Sequence, residues 1–202
     1  MDFKKSQTRV NLMRAFAGES QARNRYDFAA SKCKTAGYWF LYNIFTLTAN
    51  QEKEHAEVFY NLLQSENGDN IEIKEAAYPV NIDDDPIKLL ESSVHNETEE
   101  ATDAYVNFAK TAKKEGFEDI AYIFESIAKI EQVHADRFDC FATLLKKSKL
   151  FKGTEDTEWI CLNCGHIHKG PVAPKSCPVC KHAQGYFVPF KYYHFMEEVY
   201  AK

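Results

Sequence analysis

The chain has 202 residues, of which 45% are apolar, 14% aromatic and 27% charged, and this composition excludes a disordered protein. Its formal net charge of -5 offers no basic surface for nucleic acid. No apolar run approaches the roughly 20 residues of a membrane helix, and the first residues lack the apolar stretch of a signal peptide. We therefore expect a cytoplasmic protein that binds neither nucleic acid nor membrane.

Four long segments show helical periodicity and are separated by breakers. The predicted helices span about residues 4–34, 38–65, 86–115 and 117–150. Gly37 separates the first two, and a long connection with one short extended piece at 71–73 follows the second. Asp85 is predicted to cap the third helix, with Pro86 at its first position and Gly116 after its end. Two helical hairpins joined by a long crossover predict an all-α four-helix bundle.

The remainder of the chain differs in composition from the four helical segments. The composition of residues 146–158 predicts an exposed linker. The residues from Trp159 onwards are rich in Gly and Pro and lack helical periodicity. We therefore place the bundle at 1–150. Residues 151–202 are assigned to the linker, a small domain at about 156–190, and a C-terminal tail at 191–202, whose Phe195 and Val199 are candidates for packing.

Four of the six cysteines form two Cys-x-x-Cys pairs in this small domain: Cys161, Cys164, Cys177 and Cys180. Four thiolates on two knuckle turns indicate a tetrahedral metal site, and the spacing leaves zinc and iron open. The nearby His166, His168 and His182 are interpreted as surface groups, because four cysteines already complete the coordination. Cys33 and Cys140 stand alone and are interpreted as buried small side chains.

A second metal signal lies on the helices. Two of them carry a Glu-x-x-His pair, which places both side chains on one face, about 4.5 Å apart along the axis. One such pair is usually solvated, but two pairs with glutamates on neighbouring helices match the di-iron carboxylate arrangement of a bundle core. The candidate ligands are Glu19, Glu52, His55, Glu97, Glu100, Glu131 and His134. Buried together, these carboxylates need cations to offset their repulsion. Solvent exposure is expected for Glu54, Glu57, His95, Glu99 and Asp136.

The motifs AFAGESQARNRY, ANQEKEHA, IAKIEQVHADRF and CLNCGH…CPVC occur in the order of the rubrerythrin family, which the chain resembles over nearly its whole length. The resemblance implies a ferritin-like di-iron domain followed by a rubredoxin-like domain of short β-strands and loops. It also implies a peroxidase that protects anaerobic or oxygen-sensitive cells by reducing hydrogen peroxide to water. Electrons would come from an NAD(P)H-dependent reductase or a rubredoxin through a single four-cysteine iron, although zinc can load in recombinant material.

The resemblance also implies roles for individual residues, which are assigned here to the matching positions of this sequence. Glu52 and Glu131 would bridge the two irons. Glu19 would complete one iron, and Glu97 with His134 would complete the other.

The resemblance gives His55 and Glu100 a shared role, in which one iron binds Glu100 when oxidised and His55 when reduced. Tyr26 and Tyr105 occupy the positions of family tyrosines that hydrogen-bond ligand carboxylates, and filling the core is the alternative for both. One departure from the family is Lys181, which stands after the second knuckle where glycine is common.

The family assembles as a head-to-tail dimer, and we expect the same homodimer here, because the small domain follows a bundle about 45 Å long. Two other functions remain open at the level of sequence. A ferroxidase, iron-storage protein or oxygen reductase would use the same carboxylates. A zinc-ribbon adaptor would use the cysteines alone and would leave the seven helical ligands without a role.

Overall fold

The computed structural model describes residues 1–193 and shows the mostly helical fold with a small strand region that the sequence predicts. The helices are α1 (Gln7–Thr35), α2 (Trp39–Asn61), α3 (Pro86–Glu99), α4 (Tyr105–Glu115) and α5 (Glu118–Lys146). A π-helical segment, Glu100–Ala104, joins α3 to α4 within the predicted third helix. Strands β1 (Glu158–Cys161), β2 (Ile167–Lys169) and β3 (Phe187–Pro189) form an antiparallel sheet in the order β2-β1-β3. Phe195 and Val199 of the predicted tail lie outside the described residues.

The predicted ends of the third helix are confirmed by their capping geometry. The carboxylate of Asp85 accepts a hydrogen bond from the backbone N–H of Ile87 at 2.9 Å, as an N-cap residue does. At the other end, Gly116 adopts a left-handed conformation with φ 87° and closes the helix through bonds to the carbonyls of Ala112 and Lys113. Glycine adopts this conformation without steric cost, which explains why the helix ends there.

The crossover between α2 and α3 was predicted to hold an extended piece at 71–73, but these residues form no strand. Instead, hydrogen bonds that involve side chains join the crossover to α1. Arg14 donates from its guanidinium to the carbonyl of Lys74 at 2.8 Å. Tyr78 donates from its hydroxyl to the carbonyl of Arg14 at 3.1 Å. The crossover is therefore held by side-chain hydrogen bonds to α1 and not by strand pairing.

The chain divides into two compact units, the first formed by Met1–Arg25, Ala49–Asn81 and Glu91–Asp139. Its apolar core contains Leu12, Phe59, Tyr105 and Phe124, all at most 2% exposed. The rings of Phe59 and Phe124 lie 5.2 Å apart, and each buried ring contributes roughly 1.5–3 kcal/mol of transfer free energy. These four core residues come from α1, α2, α4 and α5, and three of these helices, α1, α2 and α5, also carry candidate ligands.

The second unit contains Tyr26–Thr48, Ile82–Leu90 and the described residues from Cys140 onwards. Within it, the side chains of Trp159 and Phe187 are buried under the sheet, and the indole of Trp159 donates to the carbonyl of Gly170 at 2.8 Å. The predicted linker is not wholly exposed, because Leu150 is buried and Phe151 stacks on Tyr38 with 6.2 Å between ring centroids. Apolar residues therefore tie this segment to the turn between α1 and α2.

The same turn makes a close backbone contact with the small domain. A Cβ atom added to Gly185 would lie 1.7 Å from the carbonyl oxygen of Gly37, a distance that no side chain can occupy. Beside this contact, the ring of Tyr186 stacks on Trp39 with 4.6 Å between centroids. Glycine at position 185 is therefore a steric requirement.

Gly185→Ala should lower the free energy of unfolding of the second unit by about 3 kcal/mol, at the upper end of overpacking costs. Near-ultraviolet circular dichroism, which reports on the packing of Trp39 and Trp159, and calorimetric unfolding would measure the loss. Gly18→Ala is the matched control, since a Cβ there meets only an ordinary contact at 3.7 Å. An unchanged spectrum and unfolding temperature in Gly185→Ala would contradict the prediction.

Candidate metal centres

Six of the seven predicted helical ligands lie together in the interior of the first unit. α1 contributes Glu19, α2 contributes Glu52 and His55, α3 contributes Glu97, and α5 contributes Glu131 and His134. His55 is 7% exposed and the other five are at most 1% exposed. Because charged side chains are seldom buried so completely unless they pair or bind metal, this cluster needs a compensating charge.

The six side chains form two overlapping sets that share Glu52 and Glu131. Around His55, Nδ1 lies 2.9 Å from Glu131 Oε1, 3.1 Å from Glu52 Oε2 and 3.9 Å from Glu19 Oε1. Around His134, Nδ1 lies 2.8 Å from Glu131 Oε2, 3.0 Å from Glu52 Oε1 and 3.4 Å from Glu97 Oε2. One oxygen of each shared glutamate faces each set, which is the arrangement of two adjacent cation positions with bridging carboxylates.

Protons offset part of the charge of this cluster when metal is absent. Burial, followed by the neighbouring carboxylates, raises the pKa of Glu19 well above its usual range and that of Glu97 to about 8. Glu52 differs: burial opposes its ionisation, but His134 and His55 lower its pKa to about 2. Burial alone would lower the pKa of His55, but hydrogen bonds to Glu131 and Glu52 raise it to about 9. Without metal, the cluster is therefore a network of protonated and ionised groups.

The donor atoms fit a pair of metal ions. Within residues 1–193, the buried ligand atoms without a hydrogen-bond partner include Glu19 Oε2, Glu52 Oε1, both carboxylate oxygens of Glu131, and His134 Nδ1. Each such atom costs about 1–3 kcal/mol if nothing binds it. Carboxylate oxygens and imidazole nitrogens are ligands that suit iron. Metal would therefore satisfy the atoms that the protein itself leaves unpaired.

Glu100, the seventh predicted ligand, begins the π-helical segment and is half-buried. Burial, then Glu97 and Glu131, raises its pKa well above the usual range, so its carboxyl group belongs to the same electrostatic cluster. It also lines a cavity of about 530 Å³ beside Gly18 and Tyr78. Single π turns within helices are frequent at functional sites, but sequence periodicity does not reveal them.

Tyr105 and Tyr26 differ in what the structure shows of their surroundings. The hydroxyl of buried Tyr105 donates a hydrogen bond to Glu19 Oε1. Tyr26 is 1% exposed, and its ring packs beside Phe45 within the second unit. The proposed bond from Tyr26 to a ligand carboxylate stays a prediction. Of the residues expected on solvated faces, Glu54, Glu57, His95, Glu99 and Asp136 are all exposed.

The four cysteines of the small domain converge in the second unit. Sγ of Cys161 lies 3.7 Å from that of Cys180, and Sγ of Cys164 lies 3.7 Å from that of Cys177. Metal–sulfur bonds of about 2.3 Å at tetrahedral angles require about 3.8 Å between sulfurs, so the four thiols fit one tetrahedral ion. A backbone N–H of His182 lowers the pKa of Cys180 to about 5, which favours the thiolate that binds metal.

The histidines of the small domain are half-buried, which differs from the predicted surface position. His182 donates from Nδ1 to the carbonyl of Cys180 at 3.2 Å and packs edge-on against Tyr186. It therefore supports the second knuckle without joining the four sulfurs. Of the two lone cysteines, Cys33 is fully buried as predicted, whereas Cys140 is only half-buried.

Lys181 occupies the position of Gly165 in the second knuckle, and both residues are left-handed, with φ 65° and 75°. The N–H of Lys181 donates to Cys177 O at 2.9 Å, as that of Gly165 does to Cys161 O at 2.8 Å. Lysine therefore preserves the backbone bond and bears the steric cost of the conformation, about 1–2 kcal/mol.

Lys181→Gly should raise the free energy of unfolding of the metal-loaded small domain by about 1 kcal/mol, because glycine removes this strain. Gly165→Ala, the converse substitution at the equivalent position of the first knuckle, should lower this free energy of unfolding by a similar amount. Thermal unfolding followed by loss of the metal–thiolate absorption would measure both changes. A less stable Lys181→Gly variant would show that the contact from Lys181 Nζ to Pro178 O, at 2.9 Å, outweighs the strain.

Comparison with known proteins matches two family models to separate parts of the chain. The rubrerythrin family model matches residues 11–142, and the rubrerythrin rubredoxin-like domain matches residues 159–188. The rubrerythrin of Porphyromonas gingivalis is 43% identical over 188 residues, which cover 93% of this chain and 92% of that protein. The rubrerythrin of Nitratidesulfovibrio vulgaris is 42% identical over 184 residues, covering 91% and 94%.

Solved structures show the same architecture. The fully reduced, all-ferrous state of nigerythrin superimposes with a TM-score of 0.60 at 26% identity, covering 94% of each chain. A bacterioferritin from Desulfovibrio desulfuricans superimposes with a TM-score of 0.62 over 71% of this chain and 82% of that one, and at 24% identity it shows the fold alone.

Fold and sites together define a ferritin-like oxidoreductase that carries a di-iron site with Glu and His ligands and a four-cysteine rubredoxin-like site. The family match covers well over half of the chain. The chain belongs to the rubrerythrin family, as its motifs predict. Among residues 1–193, none of the helices combines the length and the apolarity that crossing a membrane requires.

Proposed function

We propose that this protein is a rubrerythrin-type peroxidase that reduces hydrogen peroxide to water in the cytoplasm. The observation that carries the proposal is the pair of buried ligand sets sharing Glu52 and Glu131, in a chain that also holds a four-cysteine centre. The four cysteines would hold an iron that accepts electrons from an NAD(P)H-dependent reductase or a rubredoxin. A zinc-ribbon adaptor would have no use for the helical ligands.

The proposed ligands follow the two observed sets. Glu19 and His55 would hold one iron, Glu97 and His134 would hold the other, and Glu52 and Glu131 would each offer one oxygen to both positions. Glu100 and His55 would alternate as ligands of one iron, as the family resemblance implies. When bound, the two ferrous ions supply together the two electrons that the O–O bond of peroxide requires.

The protein's own residues control access and geometry. The buried cluster keeps bulk water away from the ligands, while Glu100 borders the cavity through which a molecule as small as peroxide can approach. Tyr105 fixes the orientation of Glu19 through its hydroxyl, as outer partners of metal ligands commonly do.

The proposal extends to domains and assembly. Residues 1–150 form the ferritin-like domain and residues 151–202 the linker, rubredoxin-like domain and tail, in accord with family matches at 11–142 and 159–188. Two chains assemble head to tail, so that the four-cysteine iron of one protomer serves the di-iron site of its partner. This dimer is expected in analytical ultracentrifugation, and a fully active monomer would contradict it.

Stopped-flow spectroscopy tests the reaction. Iron-loaded protein is reduced anaerobically and mixed separately with hydrogen peroxide and with oxygenated buffer, while the ferric–thiolate band is followed. Peroxide should restore the band much faster than oxygen does. An equal or faster response to oxygen would favour a ferroxidase or oxygen reductase, and the absence of any band would indicate zinc in the four-cysteine site.

A further inference from the structure

The outer nitrogen of His134 is held by a short chain of hydrogen bonds. His134 Nε2 lies 3.1 Å from Oε1 of Gln51, and Nη1 of Arg137 donates to the same oxygen at 3.0 Å. Gln51 immediately precedes Glu52 on α2, and Arg137 lies three residues after His134 on α5. All three groups belong to the first unit.

The chemistry of these groups fixes where the protons lie. A guanidinium group can only donate, so the amide of Gln51 must present its oxygen to Arg137. The same oxygen faces His134, so Nε2 must carry a proton to make its bond. A histidine that binds metal is a neutral imidazole with one N–H, so with the proton on Nε2 the lone pair that faces the metal lies on Nδ1. Nδ1 is one of the buried atoms that lack a hydrogen-bond partner within residues 1–193, and it lies among the carboxylates of Glu52, Glu97 and Glu131.

We propose that Gln51 and Arg137 are positioning residues that hold His134 in the tautomer and ring orientation that present Nδ1 to the metal. Arg137 orients the amide of Gln51, and this amide orients the imidazole of His134 so that Nδ1 can bind the ion. The inference rests on the proposed role of His134 as a ligand. It concerns residues next to the ligands, which neither motif spacing nor the family resemblance singles out.

His55 has no equivalent support. Its Nδ1 faces Glu131, Glu52 and Glu19 in the same way, but within residues 1–193 no group bonds its Nε2. Within the described residues, His134 is therefore held at its outer nitrogen, whereas His55 is held through Nδ1 alone. This asymmetry agrees with the exchange at His55 that the family resemblance implies.

Gln51→Leu tests the proposal by removing the acceptor while keeping a similar volume. Cobalt(II) serves as the metal probe. It is titrated anaerobically into protein whose four-cysteine site has first been filled with zinc and whose helical cluster is empty. We expect wild type to bind two equivalents in the helical cluster. In Gln51→Leu, the affinity for one of them should fall 10–100-fold, the loss typical of outer partners of metal ligands, while the other remains unchanged.

Two further variants separate positioning from packing. Gln51→Glu retains an oxygen for both Arg137 and His134 and should restore the affinity of wild type. Gln132→Leu, an exposed glutamine on α5, is the matched control and should bind two equivalents normally. The ¹⁵N spectrum of histidine-labelled, zinc-loaded protein should show a protected Nε2–H signal for His134 in wild type and Gln51→Glu, and lose that protection in Gln51→Leu.

Two results would overturn the inference: unchanged cobalt affinity in Gln51→Leu, or equal weakening in Gln51→Leu and Gln51→Glu. The second result would show that the position matters for packing alone. Failure of the proposed function is distinguishable, because wild type itself would then not bind two equivalents in the helical cluster.

Discussion

Replacing Glu52 by glutamine should prevent assembly of the di-iron centre and lower the rate of peroxide reduction by about 100-fold or more. Loss of an outer partner of a metal ligand already costs about 10–100-fold, and Glu52 is proposed to bridge both ions. Its two oxygens lie 3.0 Å from Nδ1 of His134 and 3.1 Å from Nδ1 of His55. An amide keeps the shape but offers one neutral oxygen, so both positions lose a charged ligand.

The iron content and the rate of NAD(P)H-linked peroxide reduction would measure this effect. The four-cysteine iron provides an internal reference, because Glu52→Gln should retain its ferric–thiolate colour while losing the other two iron atoms. Glu54→Gln, two residues away and exposed, is the matched control and should keep three iron atoms and full activity. Two tightly bound helical irons in Glu52→Gln would disprove the bridging role.

Removing metal should make the stability of the protein fall as the pH rises from 5 to 9. The pKa of Glu97 is about 8 in the folded protein, against about 4.5 for an ordinary glutamate, so between these values the folded state holds a proton that the unfolded state has lost. His55, at about 9 against 6.5, acts in the same direction in a higher window. Glu52 acts oppositely, but only between about 2 and 4.5.

Metal reverses this dependence, because iron replaces the protons and its binding strengthens as the ligands deprotonate. Thermal unfolding at pH 5, 7 and 9, with and without iron, would show the two slopes. The expected difference is several degrees, since 1 kcal/mol corresponds to about 2–4 °C in a protein of this size. Parallel slopes for the two forms would refute the prediction.

Glu97→Gln isolates the contribution of one carboxyl group to this behaviour. Glutamine mimics the protonated acid, so the metal-free variant should be more stable than wild type at pH 9 and similar to it at pH 5. Once iron is added, the order should reverse, because the variant lacks an anionic ligand. Glu99→Gln, exposed on the same helix, should change neither slope.

The sequence determined the features that depend on local chemistry. Asp85 with Pro86, and Gly116, mark helix ends because capping requires particular residues within one turn. The Glu-x-x-His spacing places Glu52 with His55 on one helical face whatever surrounds the helix. The Cys-x-x-Cys spacing likewise predicts a knuckle turn, because the turn involves only a few consecutive residues. These signals gave the fold class, both metal centres and the family.

Contacts between residues distant in the chain were decided only by the tertiary structure. Gln51 meets Arg137 across 86 positions, and its bond to His134 has no sequence signature. The π turn at Glu100 interrupts a helix whose periodicity predicts continuity. Gly185 is required by the carbonyl of Gly37, and Leu150 is buried in a segment whose composition resembles a linker. Local pattern fixes which face a side chain takes, but long-range packing fixes which groups it meets there.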